Sequence, residues 1–536
     1  MTRQRAGGKG NLKPCSQDRA PESTQISYPL VMGLRIGDSQ PGLFVRDEEA
    51  APGVSRQKAS GAYFTPDAVV RSLVRWVVRR PGDRLLDPSC GDGRFLIAHP
   101  NSVGVEQDQA SCGVIHQRAP GSLIHQGDFF AWASQTCERF DCAAGNPPFI
   151  RYQRFSGTVR ETALRLCARN GATFSSLTSS WAPFLVATAT LLKPGGRIAF
   201  VVPAEMGHAP YAAPLLSFML RQFSCVHIVA VRDKLFPDLS EDCWLLFADG
   251  YGGASHSLKF TALNSFRFCV KPPREAQEIG VDELQAWGGR LRPFLAPASS
   301  REVYARHAAR PDALRFGAIA KVGIGYVTGA NEFFHLRPSA ARRLNIPRHV
   351  LYPAVRNGKS LAHGDITTDC VRRWLDADLP ALLLRLDQGE RLSGAVQRYL
   401  DSSAGHEARA TYKCRSRDPW WAVPHVKVPD AFLSYMCGAG PSLVANPAKC
   451  VGTNSVHCVN LIGAMSARQL ARHWRSPMTA LSCEIEGHPL GGGMLKIEPG
   501  EAARLLLTAP ESIRPDELPA IVDGVETLRR WRHYVS

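Results

Sequence analysis

Between Gly61 and Asp249, short apolar runs alternate with longer stretches of helical character, and this rhythm most constrains the fold. The apolar runs cover residues 84–86, 102–106, 122–125, 140–144, 197–202, 225–231 and 243–248. Pro66 marks the start of a helix over 67–78, and a second helix is expected over 180–192. Strands separated by helices give a mostly parallel sheet covered on both faces, an α/β fold. In such sheets the loops leaving the carboxyl ends of the strands carry the ligand site.

The rhythm stops near the run Asp249-Gly250-Tyr251-Gly252-Gly253, which reads as a linker. Three regions follow: a Gly-, Pro-, Gln- and Ser-rich flexible leader over 1–55, an α/β domain over 56–250 and an α+β domain over 251–536.

Charge narrows the partners. Lys plus Arg number 64 against 48 Asp plus Glu, a formal charge of +16 with a pI near 9.3. A polyanion is the expected partner, nucleic acid before an anionic membrane. No apolar core follows Met1-Thr2-Arg3-Gln4-Arg5 and no apolar run reaches a membrane-spanning length, so a cytoplasmic protein is expected, with no membrane partner. The 15 cysteines are scattered without a C-x-x-C pair, which speaks against a zinc ribbon, so no metal is expected.

Four successive strand ends carry chemistry. The first is Asp87-Pro88-Ser89-Cys90-Gly91-Asp92-Gly93, where Gly91 and Gly93 permit a tight turn and close approach of a ligand. No G-x-G-x-x-G is present, which speaks against NAD and FAD. Only 12 residues separate Gly93 from Glu106, so the intervening helix should have about two turns. Glu106 ends the second strand, where an acid can accept from ribose hydroxyls. Asp128 and Phe129 follow the third; taken alone, Asp128 is an ordinary helix N-cap. The fourth end carries Asn146-Pro147-Pro148-Phe149: an amide, carbonyls stiffened by two prolines, and an aromatic stacking face.

Each element alone is a weak signal. Together and in this order they resemble the class I S-adenosylmethionine-dependent methyltransferases, specifically the gamma-type DNA adenine-N6 enzymes of restriction-modification systems. The resemblance implies a Rossmann-like methyltransferase domain followed by a target recognition domain. It implies that Tyr63, Thr65 and Pro66 touch the methionine end of S-adenosyl-L-methionine. Asp87, Pro88, Cys90, Gly91 and Gly93 would form the cofactor loop, although Cys90 reads as structural. Glu106 would hold the ribose, and Asp128 with Phe129 the adenine. Asn146, Pro147, Pro148 and Phe149 would be the catalytic turn, accepting the N6 hydrogens and stacking on a base flipped out of double-stranded DNA.

Trp181–Phe184, the strand over 197–203, 316–331 and 491–499 resemble later segments of that family. Expected DNA contacts are Arg151 and Tyr152, directly after the catalytic turn, and Lys413, Arg415, Arg417 and Trp420. Arg342, Arg343, Arg348 and Arg356 are further candidates. Similar N-P-P-F/Y turns occur in enzymes acting on ribosomal RNA bases or a glutamine amide. Cytosine-N4 enzymes usually carry Ser in place of Asn146. A catalytically silent DNA-binding subunit is the alternative of another class, and the resemblance leaves room for a separate restriction endonuclease.

Overall fold

The computed structural model describes residues 64–534 apart from 238, 240, 362 and 363. The expected leader over 1–55 and Tyr63 lie outside the described residues.

Nine strands form one sheet: β1 (Leu85–Asp87), β2 (Ser102–Glu106), β3 (Leu123–Gln126), β4 (Phe140–Gly145), β5 (Leu192–Pro203), β6 (Phe223–Val231), β7 (Cys243–Tyr251), β8 (Ser257–Leu263) and β9 (Gln277–Gly280). Their order is β3-β2-β1-β4-β5-β7-β6-β8-β9. The first five are mutually parallel, and β7 is antiparallel to both β5 and β6. This is the Rossmann-like class I methyltransferase architecture. The chain leaves β1 for β2 on one side and reaches β4 on the other, so a crevice opens at the carboxyl ends of β1 and β4.

The helices follow from apolar faces. In α1 (Asp67–Val77), Val69, Val70, Leu73 and Val77 bury against Cys142, Ala144, Ala199 and Val201 of β4 and β5. Successive strand residues face opposite sides. Ala143, Ile198 and Phe200 therefore pack into the other layer, with α4 (Phe129–Ala133), α6 (Trp181–Ala189) and α7 (Ala212–Gln222). The series is completed by α2 (Arg94–Ile97), α3 (Gln109–Arg118) and α5 (Gly157–Arg169).

Two expectations are corrected. Helix α2 has a single turn rather than two, because Pro100 and Asn101 must return the chain to β2 at Ser102. The glycine run at 249–253 does not end the sheet. Asp249 to Tyr251 are the paired end of β7, and Gly252 and Gly253 begin the turn into β8, which pairs with β6 in parallel. A glycine-rich turn has the same composition whether it joins two strands or two domains.

Past β9 the chain builds smaller sheets. One joins Ala320–Ile324, Val456–Leu461, Ala431–Ser434 and Leu443–Ala445; another joins His335–Leu336, Leu382–Leu384, Leu351–Val355 and Val451–Gly452. Helices α8 (Ala298–Ala308), α9 (Pro477–Glu486) and α10 (Leu518–Trp531) share the core of the large sheet, to which they contribute Val303, Leu481, Ile485, Ile521 and Leu528. Glu484 is buried and accepts from Arg292, Arg529 and Arg532, while Glu486 pairs with Arg290 and Arg504. Both of these buried carboxylates thus have opposite partners, as a buried charge requires. Among the described residues no helix is long and apolar enough to cross a membrane, and no cluster of His, Cys, Asp or Glu is arranged to hold a metal.

Candidate active site

The glycine loop leaves β1 at Asp87. Gly91 and Gly93 adopt φ of +52° and +80°, the left-handed region that glycine enters without steric cost. A Cβ on Gly93 would sit 3.2 Å from Ile115, whereas nothing lies within 4 Å of one built on Gly91. The loop is tied to β2. Cys90 N donates to Val105 O at 3.1 Å, and Gly91 N donates to Glu106 Oε2 at 2.8 Å. Cys90 is buried, and a Cβ on Gly104 would lie 2.5 Å from its sulfur. Burial pushes its thiol pKa up, which keeps it protonated and structural.

Glu106 also accepts from Asp108 N at 2.9 Å. A carboxylate offers about four acceptor positions, so two backbone bonds leave capacity for two ribose hydroxyls. Asp128 caps α4 through Ala131 N at 2.8 Å, which uses one of its positions. Phe129 is only 3% exposed and stacks on Phe184 with ring centroids 5.0 Å apart. Its ring therefore packs into the core at the end of β3.

Upstream of the loop, Thr65 is buried and Pro66 caps α1, its carbonyl accepting from Val69 N at 2.9 Å. Sequence reasoning missed Arg94. It donates to Thr65 O at 3.1 Å and to Asp92 at 2.8 Å, and lies over the Phe64 ring, clamping this segment to the glycine loop. A cation directly after the glycine turn was the available signal.

The Asn146-Pro147-Pro148-Phe149 turn leaves β4 beside this loop. Leu85 and Leu86 of β1 pair with Cys142 and Ala143 of β4. A Cβ on Gly145 would stand 2.7 Å from Asp87 Oδ1, so the two turns meet at Gly145. Asp87 is 1% exposed, and burial, with some repulsion from Glu106 and Asp92, raises its pKa to about 8 against the bond from Ser89 N. Asn146 and Phe149 are half-buried, Pro147 is buried, and Phe149 packs on both cores.

Ser180, just before α6, donates through Oγ to Pro148 O and accepts from Ile150 N at 3.0 Å. Next to it, Trp181 donates to Glu205 Oε1 at 2.7 Å, and the Tyr211 hydroxyl donates to the same oxygen. Trp181 lies in a segment that the resemblance singles out; Ser180, Glu205 and Tyr211 were missed, because these partners lie far apart in the chain.

The expected nucleic-acid contacts divide. Arg151 is exposed and pairs with Glu241 at 2.8 Å, and Tyr152 is exposed. Lys413 and Arg415 face solvent, beside the strongly exposed Tyr412. Arg417 instead donates to the Thr328 and Val327 carbonyls, and Trp420 packs against Phe333 and Phe334. Both hold their segment in place, since a cation or aromatic beside a loop can find a partner within the fold.

Three family models match in succession. N-6 DNA Methylase matches residues 53–117, Eco57I restriction-modification methylase matches 114–236, and the C-terminal domain of type II methyltransferase M.Eco57I matches 291–533. The type II methyltransferase M.XamI of Xanthomonas campestris pv. amaranthicola is 25% identical over 488 residues, covering 85% of this chain and 87% of that protein. M.AccI of Acinetobacter calcoaceticus is 18% identical over 495 residues, covering 85% and 86%. Among solved structures, the type IIL restriction-modification enzyme MmeI in complex with DNA aligns with a TM-score of 0.49 at 11% identity, over 85% of this chain and 71% of that one. The chain thus carries, in succession, matches to N6 DNA methylase and Eco57I restriction-modification methylase models, and it is similar to type II methyltransferases over 85% of its length.

Proposed function

We propose that the protein methylates the N6 amino group of an adenine flipped out of double-stranded DNA, at a specific sequence, beside a separate restriction endonuclease. The observation that carries this reading is the meeting at Gly145 of the glycine loop and the Asn146-Pro147-Pro148-Phe149 turn, on adjacent parallel strands.

The residues present fit S-adenosyl-L-methionine. Open space stands before Gly91, Glu106 keeps acceptor capacity at the tip of β2, and Asp128 presents a carboxylate at the end of β3. When bound, S-adenosyl-L-methionine supplies an electrophilic sulfonium methyl. Thr65 and Pro66 border its methionine end, and the loop from Asp87 to Gly93 cradles it.

The chain's own contribution is to make the amine reactive. The N6 lone pair of adenine is delocalised into its ring and is a poor nucleophile. The Asn146 side-chain oxygen and the Pro147 carbonyl accept its two hydrogens, which draws N6 toward sp³ geometry. The same acceptors stabilise the positive charge that develops there, so no protein nucleophile is needed. Phe149 stacks on the base, at an unstacking cost of a few kcal/mol recovered in part by that contact. The part beyond β9 grips the duplex, with Lys413 and Arg415 as its exposed candidates for contact, and Arg151 and Tyr152 meet the DNA from beside the catalytic turn.

Expression in a host lacking adenine methylation, followed by single-molecule mapping of N6-methyladenine, tests the reading. One modified sequence motif is expected. Methylation of ribosomal RNA with unmodified DNA would overturn it.

A further inference from the structure

The two prolines fix φ in the catalytic turn but leave it short of donors of its own. Pro147 and Pro148 have no N–H, so the turn cannot pin its own peptide planes with donors from those positions. Phe149 and the carbonyls beside it must be oriented from outside. The restraint comes from one residue. Ser180 Oγ donates to Pro148 O and accepts from Ile150 N at 3.0 Å, and Ser180 N donates to Ile150 O at 2.9 Å. These bonds fix the peptide planes on both sides of Phe149.

A second observation concerns what this hydroxyl does not do. A serine preceding a helix commonly caps the exposed amides of the first turn. Ser180 stands at that position before α6 and makes no side-chain cap bond, because its hydroxyl is turned to the catalytic turn. Ser180 is fully buried, and its neighbours are braced. Trp181 Nε1 and the Tyr211 hydroxyl converge on Glu205 Oε1, and the Ser179 side chain also interacts with Tyr211. Glu205 follows the end of β5, the strand paired with β4. The brace thus runs from the end of β5 through Glu205 and Trp181 to Ser180 and the turn.

We propose that Ser180 is a positioning residue for methyl transfer, holding the Pro147–Phe149 turn in its reactive geometry, with the Glu205–Tyr211–Trp181 cluster holding Ser180. This rests on the functional reading above.

The test uses the full-length protein and a duplex carrying the mapped recognition sequence, with adenine or 2-aminopurine at the target position. Ser180→Ala should slow single-turnover methylation by about tenfold or more, while the dissociation constants for S-adenosyl-L-methionine and DNA stay within roughly twofold. Ser180→Thr, which keeps the hydroxyl, should recover most of the rate. Tyr211→Phe should give a smaller loss of the same kind, and it decides the matter if the Ser180 variants do not fold. A rate for Ser180→Ala within roughly twofold of wild type, or a loss matched by weaker binding of either ligand, overturns the positioning role and leaves the functional reading standing. A wild-type protein that methylates no DNA overturns both.

Discussion

The glycine loop after β1 and the proline turn after β4 lie side by side and are made rigid in opposite ways. The first needs backbone conformations that only glycine adopts easily, at φ of +52° and +80°, and its own amides hold it, Gly93 N on Cys90 O at 2.7 Å and Cys90 N and Gly91 N on β2. The second contains no left-handed residue; proline rings fix its φ, and Ser180 fixes the rest from outside. One turn must admit a ligand close to its backbone. In the proposed function, the other aims acceptors at an amine. Removing side chains serves the first task and stiffening the chain serves the second.

The comparison can be broken first at the proline turn. Asn146→Ala should abolish methyl transfer, by roughly a thousandfold or more, because it removes an acceptor aimed at developing charge. Calorimetric titration should find S-adenosyl-L-methionine binding unchanged; an equal loss of binding would show that the two turns are not separate.

The converse is Gly93→Ala. Holding a Cβ residue at φ +80° costs about 1–2 kcal/mol, and the new atom presses on Ile115 at 3.2 Å. Cofactor affinity should fall about tenfold, whereas flipping of a 2-aminopurine base should persist.

The contact between the turns is tested by stability against pH rather than by activity. Asp87, raised to about 8, binds its proton more tightly in the folded than in the unfolded chain. Its contribution is therefore fully present below its ordinary value of 3.8 and is lost as pH rises through about 8. Denaturant unfolding of wild type without cofactor should weaken relative to Asp87→Asn across that window. The slope should reach at most about 1.4 kcal/mol per pH unit, the limit for one proton. Parallel pH profiles would show that Asp87 does not titrate there.

Much of the site was legible before the fold was known. β2 spans 102–106 as read, and β1, β3 and β4 begin or end within a residue of expectation. Asp87, Glu106, Asp128 and Asn146 do stand at or just beyond four strand ends. Errors arose where local composition is ambiguous. Residues 249–253 turn within the sheet, and the helix after Gly93 is cut to one turn by the return to β2. Charge and aromaticity along the sequence likewise do not reveal that Arg417 meets carbonyls and Trp420 meets phenylalanines of the same chain.

What the sequence by itself determined is whatever depends on neighbours along the chain: apolar period, glycine at left-handed positions, and proline where a turn must be stiff. Only the tertiary structure decided what depends on residues far apart in sequence. It paired β1 with β4, so that Gly145 meets Asp87, and turned the Ser180 hydroxyl from its own helix to Pro148. It also merged α8, α9 and α10 into the core of the large sheet. The physical reason is that local preferences are properties of backbone dihedrals and side-chain volume, whereas the partner of a hydrogen bond or an apolar face is settled only when the chain closes on itself.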